Sequence, residues 1–187
     1  MDYTSHPKLQ LCAHAILAGG CVAYPTEAVW GLGCDPFNRH AVETILQLKT
    51  RPVSKGLILI SGCAAHFDFL LNDMDSRVCE RIHTAWPGHV TWLVPHRGCV
   101  PEFVSGDSDK VAIRFSAHPV VRALSQRFGG AIVSTSANPA GLAPALNATD
   151  ARRYFGNAPL LYAPGTVGKP NRPSRIIDAL SGQTLRA

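Results

Sequence analysis

The chain has 187 residues, enough for one domain that buries a real core, and 46% of them are hydrophobic against 17% charged, the balance of an ordinary soluble globular protein. No apolar stretch is long enough to span a bilayer. The opening MDYTSHPKLQLCAHAILAGG lacks the basic segment and long apolar run of a signal peptide, so a cytoplasmic protein with no membrane attachment is expected. The formal net charge of +5 favours an anionic partner such as a nucleotide, pyrophosphate or RNA.

In chain order, Leu9, Cys12, Ala13, Ile16 and Leu17 have helical spacing, and Gly19-Gly20 stops that helix. Cys21 to Tyr24 reads as a short buried strand ending at Pro25. Ala41 to Leu48 is a second amphipathic helix, with Val42, Ile45 and Leu46 toward the core, and Leu57 to Ile60 is a continuous apolar strand. Residues 64–71 and 75–84 read as helical. Val90 to Val94 and Val111 to Phe115 are strands, and Pro119 to Phe128 is a helix closed by Gly129-Gly130. Ala131 to Val133, Leu160 to Tyr162 and Arg175 to Asp178 complete the strands. Several strands are apolar throughout and alternate with helices, which predicts one α/β domain over residues 1–187 with a mixed, twisted, covered sheet.

Six cysteines are spread without any CxxC pair, several of them in apolar runs, which suits reduced buried thiols. Eight histidines are scattered with no HExxH, so no metal site is expected. The densest basic stretches are Lys49-Thr50-Arg51…Lys55, Arg152-Arg153 and Lys169…Arg172…Arg175, all beside Pro, Gly or Ser, as in loops that line a site.

Five polar clusters carry candidate chemistry. Pro25-Thr26-Glu27-Ala28-Val29-Trp30-Gly31-Leu32-Gly33 follows a strand; its glycines allow close backbone approach, and Trp30 is either a ligand wall or core. Lys49-Thr50-Arg51-Pro52-Val53-Ser54-Lys55 ends a helix with three cations in seven residues, which suits either a polyphosphate or the helix C-terminus itself. Trp86-Pro87-Gly88-His89-Val90-Thr91-Trp92 is a rigid turn entering a strand, with His89 either a titrating group or a structural histidine. In Val111-Ala112-Ile113-Arg114-Phe115-Ser116-Ala117-His118-Pro119, Arg114 lies inside an apolar strand and must meet an anion or a carboxylate, for which Glu27 is a candidate. Ser134-Thr135-Ser136-Ala137-Asn138 follows an apolar strand, where open α/β sheets bind ligands, and offers short donors for phosphate or carboxylate oxygens. No P-loop, GxGxxG, GxSxG or RNP signature is present; Gly165 to Pro170 has the wrong spacing for a P-loop.

Taken in order, PTEAVWGLG, KTRPVSKGL, WPGHVT, VAIRFSAHP, STSAN and SRIID resemble the YrdC/TsaC family of threonylcarbamoyl-AMP synthases over nearly the whole chain, Gly20 to Arg186. The resemblance implies a twisted α/β sheet with a concave basic face, and synthesis of threonylcarbamoyl-AMP and pyrophosphate from L-threonine, bicarbonate and ATP for tRNA modification. It implies that Lys49, Arg51, Ser136 and Asn138, the family's Lys-Arg…Ser-Asn signature, hold ATP and the reacting groups, with Lys55 near the phosphates. Thr26, Arg114, Ser134 and Ser174 would serve threonine, and Arg186 the nucleotide. Mg²⁺ would be held mainly by the phosphates. A threonylcarbamoyl-transferase complex would accept the product, and weak binding of tRNA or other RNA to the basic face belongs to the same expectation.

The chain departs from the family pattern at Ala28, Trp30, Gly56, Ile60 and at His89, where a proline is usual; these departures concentrate on the threonine side. The main rival reading is a non-catalytic RNA-binding protein of ribosome or tRNA maturation. Aromatics make up only 7% of residues and are not interleaved with the basic loops, which argues against base stacking. A carbamoyl-transfer domain of hydrogenase maturation is a further rival, but it would need companion domains for which 187 residues leave no room.

Overall fold

The computed structural model describes residues 3–168 and 173–186. Among these, nine strands form one mixed sheet, in keeping with the α/β architecture read from the sequence. The strands are β1 (Cys21–Pro25), β2 (Trp30–Gly33), β3 (Ile58–Ser61), β4 (Val90–Pro95), β5 (Lys110–Phe115), β6 (Ile132–Ser136), β7 (Leu160–Tyr162), β8 (Arg175–Asp178) and β9 (Thr184–Arg186), in the spatial order β7-β1-β2-β6-β3-β5-β4-β8-β9. β3 runs parallel to β5 but antiparallel to β6.

The helices are α1 (Pro7–Leu17), α2 (Arg39–Lys49), α3 (Asp68–Leu71), α4 (Ser76–Thr84), α5 (Glu102–Ser105), α6 (Pro119–Phe128) and α7 (Ala148–Phe155). Local chemistry sets their ends. Asn38 caps α2 by accepting from the Ala41 amide, and Thr50 closes it in the left-handed region at φ 51°. His118 caps α6 with Pro119 in its first turn, and Gly129 closes it at φ 84°.

Strand side chains alternate between two cores, as a period of two requires. Val22, Tyr24, Ile60 and Ile132 pack under α1 and α6 with Leu9, Ile16, Val120 and Leu124. Ala23, Leu32, Leu59 and Val133 face the opposite core, with Ile45 of α2, Ile82 of α4 and Phe155 of α7. The face under α1 and α6 then continues past those helices. Two residues beyond Ile132 on β6 stands Ser134 and then Ser136; Ser134 pairs with Ile58, Ser136 with Gly31, and Arg114 with Ile60. One face therefore changes from apolar to polar along its own strands, and that change places the site.

Several elements escape the periodicity reading. The sequence pattern gives β2 only as part of the loop after β1, since Trp-Gly-Leu-Gly has poor strand propensity. Its glycines answer to the sheet: a Cβ on Gly33 would lie 2.5 Å from the Val133 carbonyl and 2.7 Å from the Tyr24 ring. Trp30 is core. Residues 64–71 form a 3-10 turn (Ala64–Phe67) followed by the single turn α3, and α5, α7 and β9 carry too little regular pattern to be found by period alone. All six cysteines are free thiols, as expected, but only Cys12, Cys21 and Cys34 are buried; Cys63 and Cys79 are half-buried and Cys99 is exposed.

Candidate active site

The polar continuation of the sheet face forms the floor of a cavity of about 230 Å³. It gathers residues from five strands or their flanking loops and from the end of a helix: Thr26 after β1, Arg114 of β5, Ser134 and Ser136 of β6, Ser174 before β8, Arg186 of β9 and Arg51 after α2. Seven of the ten expected site residues thus share one cavity. Larger and more open grooves lie elsewhere, one of about 540 Å³ beside Arg77, Arg81 and Arg175 and one of about 530 Å³ beside Glu43, Glu102, Asp107 and Asp109, but both include carboxylates in their lining.

The remaining three expected residues sit differently. Lys55 is exposed on the 3-10 turn Val53–Lys55, outside the cavity lining. Lys49 is buried at the end of α2, where its ammonium donates to the Ser136 carbonyl at 2.5 Å and the Asn138 carbonyl at 2.7 Å. Its own carbonyl accepts from the Ala140 amide at 2.9 Å, so Lys49 fastens the loop after β6 from both ends of the residue. Two of the three ammonium hydrogens are used in this way, leaving one. Asn138 donates from Nδ2 to the Pro139 and Leu142 carbonyls, while its Oδ1 is buried with no hydrogen-bond partner among the described residues. Such an orphaned acceptor costs about 1–3 kcal/mol.

The electrostatics point one way. The lining holds three arginines and no carboxylate among the described residues. Burial, and then the nearby Arg51, press the Lys49 ammonium down to about 8. Burial lowers Arg51 as well, and Arg186 is lowered by burial and by Arg114. Cations that depress one another are short of negative charge, so the cavity is chemically suited to an anion.

Among the described residues, Arg114 is the one cation of the lining paired with an internal carboxylate. Its Nη2 donates to Glu27 Oε2 at 2.6 Å, the pairing anticipated from its place in an apolar strand, and Ser116 Oγ donates to the other oxygen of Glu27 at 2.7 Å. Nη2 also meets His89 Nδ1 at 3.0 Å, a contact with no signal in the local sequence. On the far side, Arg186 donates from Nε and Nη2 to the Ser174 carbonyl at 3.1 and 2.7 Å. Ser174 Oγ lies 2.7 Å from the hydroxyl of fully buried Thr91, which sequence reasoning did not single out. Lys169 and Arg172, read as part of a basic stretch, lie outside the described residues.

A cationic, hydroxyl-lined cavity on the open part of a mixed sheet defines an α/β protein equipped for small anionic ligands. The chain belongs to the Sua5/YciO/YrdC family, whose sequence profile, described as telomere recombination, matches residues 14–187. A protein of Saccharophagus degradans named threonylcarbamoyl-AMP synthase is 52% identical over 186 residues, covering 100% of this chain and 97% of its own. A Cellvibrio japonicus protein of the same name is 44% identical, over 100% of this chain and 98% of its own. Among solved structures, P. abyssi Sua5 complexed with L-threonine superposes with a TM-score of 0.83 at 27% identity, over 91% of this chain and 50% of the longer Sua5 chain. E. coli YciO shares the fold, with a TM-score of 0.79 at 18% identity over 96% of this chain and 90% of its own.

Proposed function

We propose that this protein is a threonylcarbamoyl-AMP synthase that joins L-threonine, bicarbonate and ATP and releases pyrophosphate. The observation that carries the reading is the carboxylate-free cavity with Arg51, Arg114 and Arg186 around the hydroxyls of Thr26, Ser134 and Ser136. Full-length relatives bearing that enzyme name support it. So does the threonine complex of a structural neighbour.

The chemistry asks little of the protein beyond position and charge. The threonine amine and bicarbonate give a carbamate and water. A carbamate oxygen then bonds to the α-phosphorus of ATP as the bond to the departing pyrophosphate breaks. The carbamate is already an anion, so no general base is required, and catalysis rests on alignment and charge neutralisation. In this reading Arg51 and Arg186 face the phosphates, with Lys55 at the outer edge. Lys49 adds its charge and holds the backbone that carries Ser136 and Asn138. Ser136 orients reacting oxygens, and Asn138, whose Nδ2 holds the Pro139 and Leu142 carbonyls, keeps the loop beside the bound nucleotide in place. Thr26, Ser134 and Ser174 serve threonine, whose carboxylate meets Arg114.

Mg²⁺ fits this site only as a companion of the triphosphate. No group of three or more His, Cys, Asp or Glu side chains that could hold a metal occurs among the described residues, and the lining offers neutral hydroxyl oxygens. Bound there, it would neutralise phosphate charge. The reading extends to the cytoplasm as location and to a threonylcarbamoyl-transferase complex as acceptor of the product. Weak contact with tRNA through the exposed cations belongs to it as well.

The test is pyrophosphate release from ATP with threonine and bicarbonate omitted in turn. Release that requires both is expected. Release independent of threonine, or none from a folded protein that binds RNA, would replace this reading with that of an RNA-binding protein.

A further inference from the structure

Arg114 Nη2 carries two hydrogens, and two acceptors meet it: Glu27 Oε2 at 2.6 Å and His89 Nδ1 at 3.0 Å. A guanidinium only donates, so His89 Nδ1 is unprotonated. The Gly88 amide donates to the Phe115 carbonyl at 3.2 Å, which ties the turn bearing His89 to the end of β5 bearing Arg114. An arginine beside a carboxylate prefers two parallel hydrogen bonds. Here one oxygen of Glu27 is committed to Ser116, and the second hydrogen of Nη2 is committed to His89. The pair meets through a single bond, and Arg114 Nε is left buried without a partner among the described residues. The guanidinium is balanced in charge and lines the cavity, and Nη1 takes part in neither of these contacts.

We propose that His89 is a positioning residue that stops Arg114 from closing onto Glu27, and so keeps its remaining donors available to the substrate carboxylate. The assignment rests on the reading that threonine binds in this cavity. Without the Nδ1 acceptor, Nη2 has a free hydrogen and Arg114 turns toward a fuller pairing with Glu27. Tyr24 and Arg186 also act on Arg114, and His118 acts on both Arg114 and Glu27. His118 is already engaged: Nε2 donates to the Thr166 carbonyl and Nδ1 accepts from the Val120 amide.

The experiment measures kcat and KM for threonine by pyrophosphate release at saturating ATP near pH 8, on wild type, His89→Ala and His89→Gln. His89→Ala raises the threonine KM about five- to tenfold, the worth of one ordinary hydrogen bond, with kcat and the ATP KM little changed. His89→Gln offers a neutral acceptor and returns KM to near the wild-type value. An unchanged KM in His89→Ala, a loss confined to kcat, or failure of His89→Gln to rescue would each overturn the role of His89. If His89→Ala does not fold, His89→Leu, which keeps the bulk and lacks an acceptor, decides: a raised threonine KM supports the role, an unmoved one refutes it. A wild type without threonine-dependent release overturns the underlying reading and this assignment with it, whereas wild-type turnover with an unmoved KM overturns only the part given to His89.

Discussion

A lysine at the end of a helix is ordinarily a solvated cation, and Lys49 is not. Its ammonium is enclosed, with two backbone carbonyls of the loop after β6 as acceptors, and held at about 8 against an ordinary value of 10.5. The consequence for stability has a definite sign. Between about pH 8 and pH 10.5 the unfolded chain holds this proton and the folded chain does not, so stability rises with pH across that window. Below it, both states are protonated and the contribution is constant. Urea denaturation at the two ends of the window should show a gain in the wild type of at most about 3 kcal/mol that is missing in Lys49→Met. Equal gains in the two proteins would mean that the buried ammonium is not the source. In the same variant the loop bearing Ser136 and Asn138 loses its tether, and kcat should fall about a hundredfold while the helical circular-dichroism signal is kept.

At the scale of elements, β2 shows how a poor strand sequence serves a sheet. Gly31 and Gly33 cost strand propensity, but β2 lies between β1 and β6, where the Tyr24 ring and the Val133 carbonyl come close. Gly33→Ala forces a methyl against both at 2.5–2.7 Å, one of them backbone that cannot step aside. A loss of about 1–3 kcal/mol is expected, read as a fall of several degrees in Tm, and a variant as stable as wild type would show that β6 can shift. The apolar periods of α1, α2, α6 and the longer strands were legible because each buries one face against a core. β2, α5, α7 and β9 were not, because glycines, single turns and half-exposed positions leave no period to read. The loop of Lys49 to Lys55 was legible as basic, but which of its cations reach the cavity depends on the chain's return after β6.

For the molecule as a whole, the charge of +5 matters through its distribution. Arg51, Arg114 and Arg186 converge from a helix end, the sheet interior and an edge strand onto one cavity. Raising salt from about 0.1 M to about 1 M shortens the screening length from about 10 Å to about 3 Å. The ATP KM should then rise several-fold, because phosphates draw on the field of several cations. The threonine KM should move less, since in the proposed reading its carboxylate meets the buried Arg114 directly. Steady-state kinetics across the salt series checks this, and equal salt sensitivity for the two substrates would contradict the division of the cavity.

The sequence by itself determined the α/β class, the order of the main elements and the six segments that identify the family, since these follow from local periodicity and from residue types in a fixed order. It also required Arg114 to find an anion, because a guanidinium in an apolar strand allows nothing else. Only the tertiary structure decided which face of the sheet is left open past α1 and α6, that Lys49 is spent on loop carbonyls, and that Glu27, Ser116 and His89 share the task of holding Arg114. The partners involved stand 87 residues apart for Arg114 and Glu27 and 89 for Lys49 and Asn138, so their contacts come from strand pairing and helix packing rather than from any local pattern in the chain.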